Sequence, residues 1–178
     1  MIAVISGTNR PDSSSLKIAG LVSEMLRSAG EQTKLLDLAR LPEGIFRGSS
    51  YGEKPVEFEP FQEAILTAHG ILTVVAEYNG SFPGALKYFI DMLQFPESLY
   101  EKPAAFVGIS AGPWGAIRAV EQLEMVYQYR HAHLFGRRVF IPNLGKVLDE
   151  KGALTDPALE QRLREMTTGF AGFCGKLC

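Results

Sequence analysis

The chain has 178 residues, of which 46% are hydrophobic, 10% aromatic and 21% charged, a composition that predicts a single globular domain over 1–178 and excludes a disordered tail, a collagen-like repeat or a disulfide scaffold. A net charge of −2 supplies no general field to hold nucleic acid or an anionic membrane. The apolar run at 2–5 is too short for a signal or spanning segment, no later run reaches roughly 20 residues, and the expectation is a cytoplasmic protein.

Ile2, Ala3, Val4 and Ile5 with Ser6 form a continuously apolar run that breaks at Gly7-Thr8-Asn9-Arg10-Pro11-Asp12, which reads as a buried strand and a loop. Ser13, Ser14 and Ser15 offer an N-cap. Leu16, Ile18, Ala19, Val22, Met25, Leu26 and Ala29 then recur at helical spacing until Gly30 stops the helix. The alternation repeats, with strands expected at 33–38, 71–76, 104–110 and 138–142 and helices at 57–69, 84–94, 115–130 and 156–174. Strands apolar on both faces, such as 71–76 and 105–109, must be covered on both sides, as a parallel sheet with crossover helices achieves. The predicted fold is therefore a three-layer, doubly wound α/β domain with a five-stranded parallel sheet in the order 2-1-3-4-5. Ligands bind at the carboxyl ends of strands where the winding reverses, which points to the loops after strands one, three and four. The stretch 40–57, rich in Gly, Ser and Pro, exceeds the usual connection and reads as either a binding flap or a surface excursion.

Several groups read as peripheral to the chemistry. Cys174 and Cys178 are four apart; a bridge would close a trivially small loop, and a redox pair or half a metal site lacks further ligands nearby. His131 and His133 lack helical spacing and a carboxylate partner, so a capping or surface role is expected. Asp37 reads as structural, because no Gly-x-Gly-x-x-Gly fingerprint accompanies it. The segments 95–100 and 123–129 carry more apolar surface than one sheet face readily covers, which suggests contact between copies.

The first loop combines Thr8, Arg10, Ser13, Ser14 and Ser15, that is, hydroxyl donors, one fixed cation and a helix start, which suit a phosphate. An ordinary N-capped loop would look the same. It is not a Walker A loop. The third loop, Glu77-Tyr78-Asn79-Gly80-Ser81, offers an aromatic and amides suited to a planar heteroaromatic ring, and the fourth, Ser110 to Gly115, places two glycines beside the sole tryptophan, Trp114. Taken singly, Tyr78 and Trp114 could equally be surface packing.

On these motifs the chain resembles the NADPH-dependent FMN reductases of the flavodoxin-like superfamily, which include azoreductase and chromate- or quinone-reductase relatives. The phosphate loop Gly-Ser-x-Arg-x-x-Ser-x-Asn is matched by Gly7 to Ser15, with Thr8 and Ser15 replacing its first serine and its asparagine. The signature Pro-Glu-Tyr-Asn-x-Ser-x-Pro-Gly-x-Leu-Lys-x-x-Ile-Asp runs from Ala76 to Asp91 with only its first proline changed, and Ser-x-Gly-x-x-Gly is matched by Ser110, Gly112 and Gly115. The resemblance implies FMN as cofactor with NADPH or NADH as co-substrate. Its phosphate would lie on Thr8, Arg10, Ser13 and Ser15, with Ser14 beside them, and its ring against Glu77, Tyr78, Asn79, Gly80, Ser81, Ser110, Ala111, Gly112, Trp114 and Gly115. No side chain is expected to be catalytic, because the flavin carries the hydride chemistry. The acceptor would be a quinone, azo dye, metal oxyanion or free flavin, and the protein a homodimer or homotetramer. The rival reading is a non-enzymatic FMN-binding electron carrier or interaction module of the same fold. A near-neutral charge favours the enzyme, since carriers docking on basic partners are acidic.

Overall fold

The computed structural model describes residues 1–149 and 151–177, so Cys178 lies outside the described residues. In chain order the first half contains β1 (Ile2–Ser6), α1 (Ser14–Ser28), β2 (Thr33–Asp37), α2 (Glu59–Thr67), β3 (Gly70–Ala76) and α3 (Gly84–Met92). There follow β4 (Pro103–Ile109), α4 (Ile117–Tyr129), β5 (His133–Leu134), β6 (Val139–Ile141), α5 (Leu144–Val147) and α6 (Pro157–Leu177).

Every residue of β1, β3 and β4 is buried, as their unbroken apolar sequences require. Ile2 and Val4 face α1 and α6, whereas Ala3 and Ile5 face α2, α3 and α4, giving the three layers. All pairings are parallel, in the order β2-β1-β3-β4, with the fifth position taken by both β5 and β6. The expected order 2-1-3-4-5 therefore holds, but the fifth strand is broken. Ala104 pairs with Leu134 while Val107 pairs with Val139, so the outer chain carries a bulge relative to β4. The bulge turns Phe135 onto Phe170 and Phe173 of α6, with ring centroids 5.8 and 5.4 Å apart.

Local chemistry fixes the element ends. Ser13 caps α1 by accepting from the Leu16 N–H at 3.2 Å. Gly30, at φ 94°, closes its other end in a Schellman motif, with Glu31 N–H donating to Leu26 O and Gly30 N–H to Arg27 O. The Asp37 carboxylate accepts from the Ala39 N–H at 3.1 Å, which gives it the expected structural role. Residues 38–58 form short 3-10 turns, and Phe46 and Tyr51 of this stretch lie on Tyr88 of α3, so it is a packed surface excursion. At the amino edge of the sheet the Lys102 ammonium donates to the carbonyls of Ile65, Leu66 and Ala68 at 2.6–2.9 Å, closing the end of α2. The α4 helix starts two residues later than expected, because Gly115 and Ala116 adopt φ of 60° and 67°. Among the described residues no helix is long and apolar enough to cross a membrane.

Candidate active site

The loops after β1, β3 and β4 meet in a cleft of about 490 Å³, a size suited to a cofactor-scale ligand. Thr8, Arg10, Ser13, Ser14, Ser15, Glu77, Tyr78, Ser110 and Ala111 line it. Asn79, Gly80, Ser81, Gly112, Trp114 and Gly115 do not.

The first loop is pressed against β3. Gly7 N–H donates to Val74 O at 2.9 Å, and a Cβ on Gly7 would stand 2.6 Å from that oxygen, so only glycine fits. The next residue, Thr8, is 1% exposed, accepts from the Arg10 N–H at 3.3 Å and shares a 2.9 Å hydrogen bond with the Tyr78 hydroxyl. That bond ties the first loop to the third across 70 residues of sequence. The exposed Arg10 guanidinium has no ion-pair or hydrogen-bond partner among the described residues. Ser6, at the base of the loop, holds a buried hydroxyl without a partner among the described residues.

The third loop is a tight hairpin. Tyr78 and Ser81 exchange backbone hydrogen bonds of 2.8 and 3.0 Å around Asn79 at φ 54° and Gly80 at φ 74°. Positive φ at both central positions is the type I′ geometry that Asn-Gly favours. Asn79 therefore sits at the turn tip, exposed, with its N–H and that of Gly80 unpartnered among the described residues.

The fourth loop is sewn to the edge strand. Ser110 N–H donates to Ile141 O, Leu144 N–H to Ser110 O and Asn143 N–H to Gly112 O, at 3.1, 3.0 and 2.9 Å, while the Ser110 hydroxyl donates to Gly112 O at 2.8 Å. Gly112 is thus an anchor behind the cleft wall. Trp114 is 70% exposed and off the cleft, and Gly115 is buried beneath β6. Sequence reasoning missed Pro11, Asp12, Ala76, Ile109, Leu144 and Gly145, which also line the cleft. Asn143-Leu144-Gly145, a turn sequence following the fifth strand at the same sheet edge, was the available signal.

The donor set fits a phosphate monoester. The Ser14 and Ser15 N–H groups at the start of α1 have no partner among the described residues, while the Leu16 N–H is taken by Ser13, whose hydroxyl uses a lone pair to accept that cap bond and keeps its hydrogen to donate. Arg10 adds an uncommitted charge. The carboxylates of Asp12 and Glu77 line the same cleft.

Known proteins are similar to this chain in sequence and in fold. A quinone reductase from Pseudomonas putida is 32% identical over 161 residues, covering 84% of this chain and 85% of its own length. The NADPH:quinone oxidoreductase of Arabidopsis thaliana is 25% identical and covers 99% of this chain and 92% of its own. Among solved structures, the flavoenzyme NAD(P)H:(acceptor) oxidoreductase FerB of Paracoccus denitrificans superposes with a TM-score of 0.82 at 22% identity, covering 98% of this chain and 97% of its own. The model of the NADPH-dependent FMN reductase family matches residues 1–145, and the chain belongs to that family.

Proposed function

We propose that the protein is a cytoplasmic, single-domain, FMN-dependent NAD(P)H oxidoreductase that passes electrons to a quinone-class small molecule. The observation that carries this reading is the meeting in one cleft of a hydroxyl-rich loop, an open helix start and an uncommitted arginine, with a turn bearing two free amides beside it. When bound, FMN supplies the centre that takes hydride from a nicotinamide and returns electrons to the acceptor. The chain's own residues bind and orient. Arg10 and the α1 start offset a dianionic phosphate, with Thr8, Ser13, Ser14 and Ser15 donating to its oxygens. The 78–81 turn, with the free N–H groups of Asn79 and Gly80, and the cleft-lining Ser110 and Ala111 would hold the ring. The quinone class is supported by the names of the relatives, among them a 2-hydroxy-1,4-benzoquinone reductase from a Burkholderia species, 27% identical. Those names, with the near-neutral charge, weigh against a non-enzymatic carrier.

The face between α3 and α4 supports a homodimer or homotetramer. Phe95, Met125 and Tyr129 stand exposed there, although Leu99, Leu123 and Tyr127 are core residues. Light scattering giving a monomer mass at micromolar concentration, with full activity, would overturn the assembly.

The function is tested by titrating the purified protein with FMN and adding NADPH or NADH without oxygen. Bleaching of the flavin band and its return on adding a benzoquinone are expected. Absence of FMN binding overturns the reading, and binding without bleaching by either nicotinamide replaces it with the carrier.

A further inference from the structure

The 78–81 turn is a single pair of hydrogen bonds, and so small a hairpin is marginal on its own. It is held from two sides. Tyr78 reaches Thr8 on one side; on the other, Gln122 projects from α4, 41 residues away, and accepts from the Ser81 hydroxyl at 2.5 Å through Oε1. The amide nitrogen of Gln122 is directed at Gly80 O, at 3.4 Å. This pairing fixes the amide's sense, since the Gly80 carbonyl can only accept.

An accounting of the turn's polar groups shows what Gln122 does. The N–H and C=O of Tyr78 and Ser81 are spent on each other, while Gln122 takes the Gly80 carbonyl and the Ser81 hydroxyl. The N–H groups of Asn79 and Gly80 remain unpartnered among the described residues. Gln122 thus consumes the Gly80 carbonyl and the Ser81 hydroxyl and leaves the turn's two free donors uncommitted.

We propose that Gln122 is a positioning residue for flavin recognition: it braces the Asn79-Gly80 turn against α4, so that a rigid helix sets where the two free amides point. The inference rests on the flavin reading of the cleft. Gln122 needs no contact with the cofactor; it acts through Ser81 and Gly80, as a supporting shell does for any site that needs fixed donors.

Gln122→Met keeps the side chain's bulk and removes both hydrogen bonds. Apoprotein carrying it is titrated with FMN and with lumiflavin, which has the ring and no phosphate, following the absorbance and fluorescence of the bound flavin. Lumiflavin affinity should fall roughly tenfold, FMN affinity by the same factor, and the bound flavin's spectrum should move toward that of free flavin. Ser81→Ala should reproduce the loss, and the double variant should show less than the product of the two effects, which a general structural role would not give. This second variant also decides the matter if Gln122→Met does not fold. Wild-type lumiflavin affinity and spectrum in the variant, with FMN affinity still reduced by Arg10→Ala, would overturn the positioning role and leave the flavin reading standing. Failure of the wild type to bind either flavin would overturn both.

Discussion

The two edges of the parallel sheet handle polar groups in opposite ways. At the amino edge charged groups are spent on the fold: Lys102 donates to three carbonyls at the end of α2, and His69 lies between the Met1 amine, at 2.9 Å, and Glu31, at 3.1 Å. At the carboxyl edge, the Arg10 guanidinium and the amides of Asn79 and Gly80 have no partner among the described residues. The difference follows from the winding. Each crossover helix runs back toward the amino edge, so carbonyl ends gather there and need a cation, while amide ends gather at the carboxyl edge and attract an anion. Stability is concentrated at one edge and binding at the other.

Substitutions at each edge should therefore separate folding from binding. Lys102→Met should produce the largest effect, costing about 3 kcal/mol of stability, because three carbonyls lose a charged donor, with FMN affinity unchanged. Urea denaturation measures it, and wild-type stability would mean that water replaces the ammonium. The interior gives the next effect. Tyr127, sealed between α4 and β3 and 3.2 Å from the Thr73 hydroxyl, has its phenol pushed up to about 12 by burial. Its folded form holds the proton to higher pH than the unfolded chain, so this contribution is complete below about pH 10 and falls away as pH rises toward 12. Relative to Tyr127→Phe, the wild type should lose about 2–3 kcal/mol across that window, and parallel pH profiles would refute the assignment.

Arg10→Ala belongs to the binding edge. It should weaken FMN by one to two decades, about 1.5–3 kcal/mol, with the unfolding temperature unchanged. An unaltered titration would place the phosphate elsewhere. The smallest effect is expected at Ser6, whose buried hydroxyl has no partner among the described residues. Ser6→Ala should change stability by less than about 0.5 kcal/mol, and a larger loss in calorimetry would reveal an unseen partner.

The layers and strand order were legible because β1, β3 and β4 are apolar on both faces, a pattern few arrangements satisfy. The caps of α1 were legible because Ser13 and Gly30 act within one turn of the chain. The broken fifth strand was not, since its pairing with Ala104 and Val107 depends on where Phe135 finds α6. At the site, residue types in the three loops pointed to the edge of the sheet where the cleft lies. Which of them face the cleft depends on backbone sense: Asn-Gly announces a type I′ turn, and that turn puts Asn79 at the tip. Gln122 carried no signal, because one polar residue on an amphipathic helix looks like any other until the turn it braces is in place.

The broken fifth strand also bears on solubility. An uninterrupted outer strand would present a row of open amides on which a strand from another molecule could add. Here that edge is divided into pieces of two and three residues, with the bulge between them and an exposed Arg137 beside it. Neither piece is long enough to template a ladder. The irregularity that hid this strand from sequence reasoning also guards this edge of the sheet against the addition of a foreign strand.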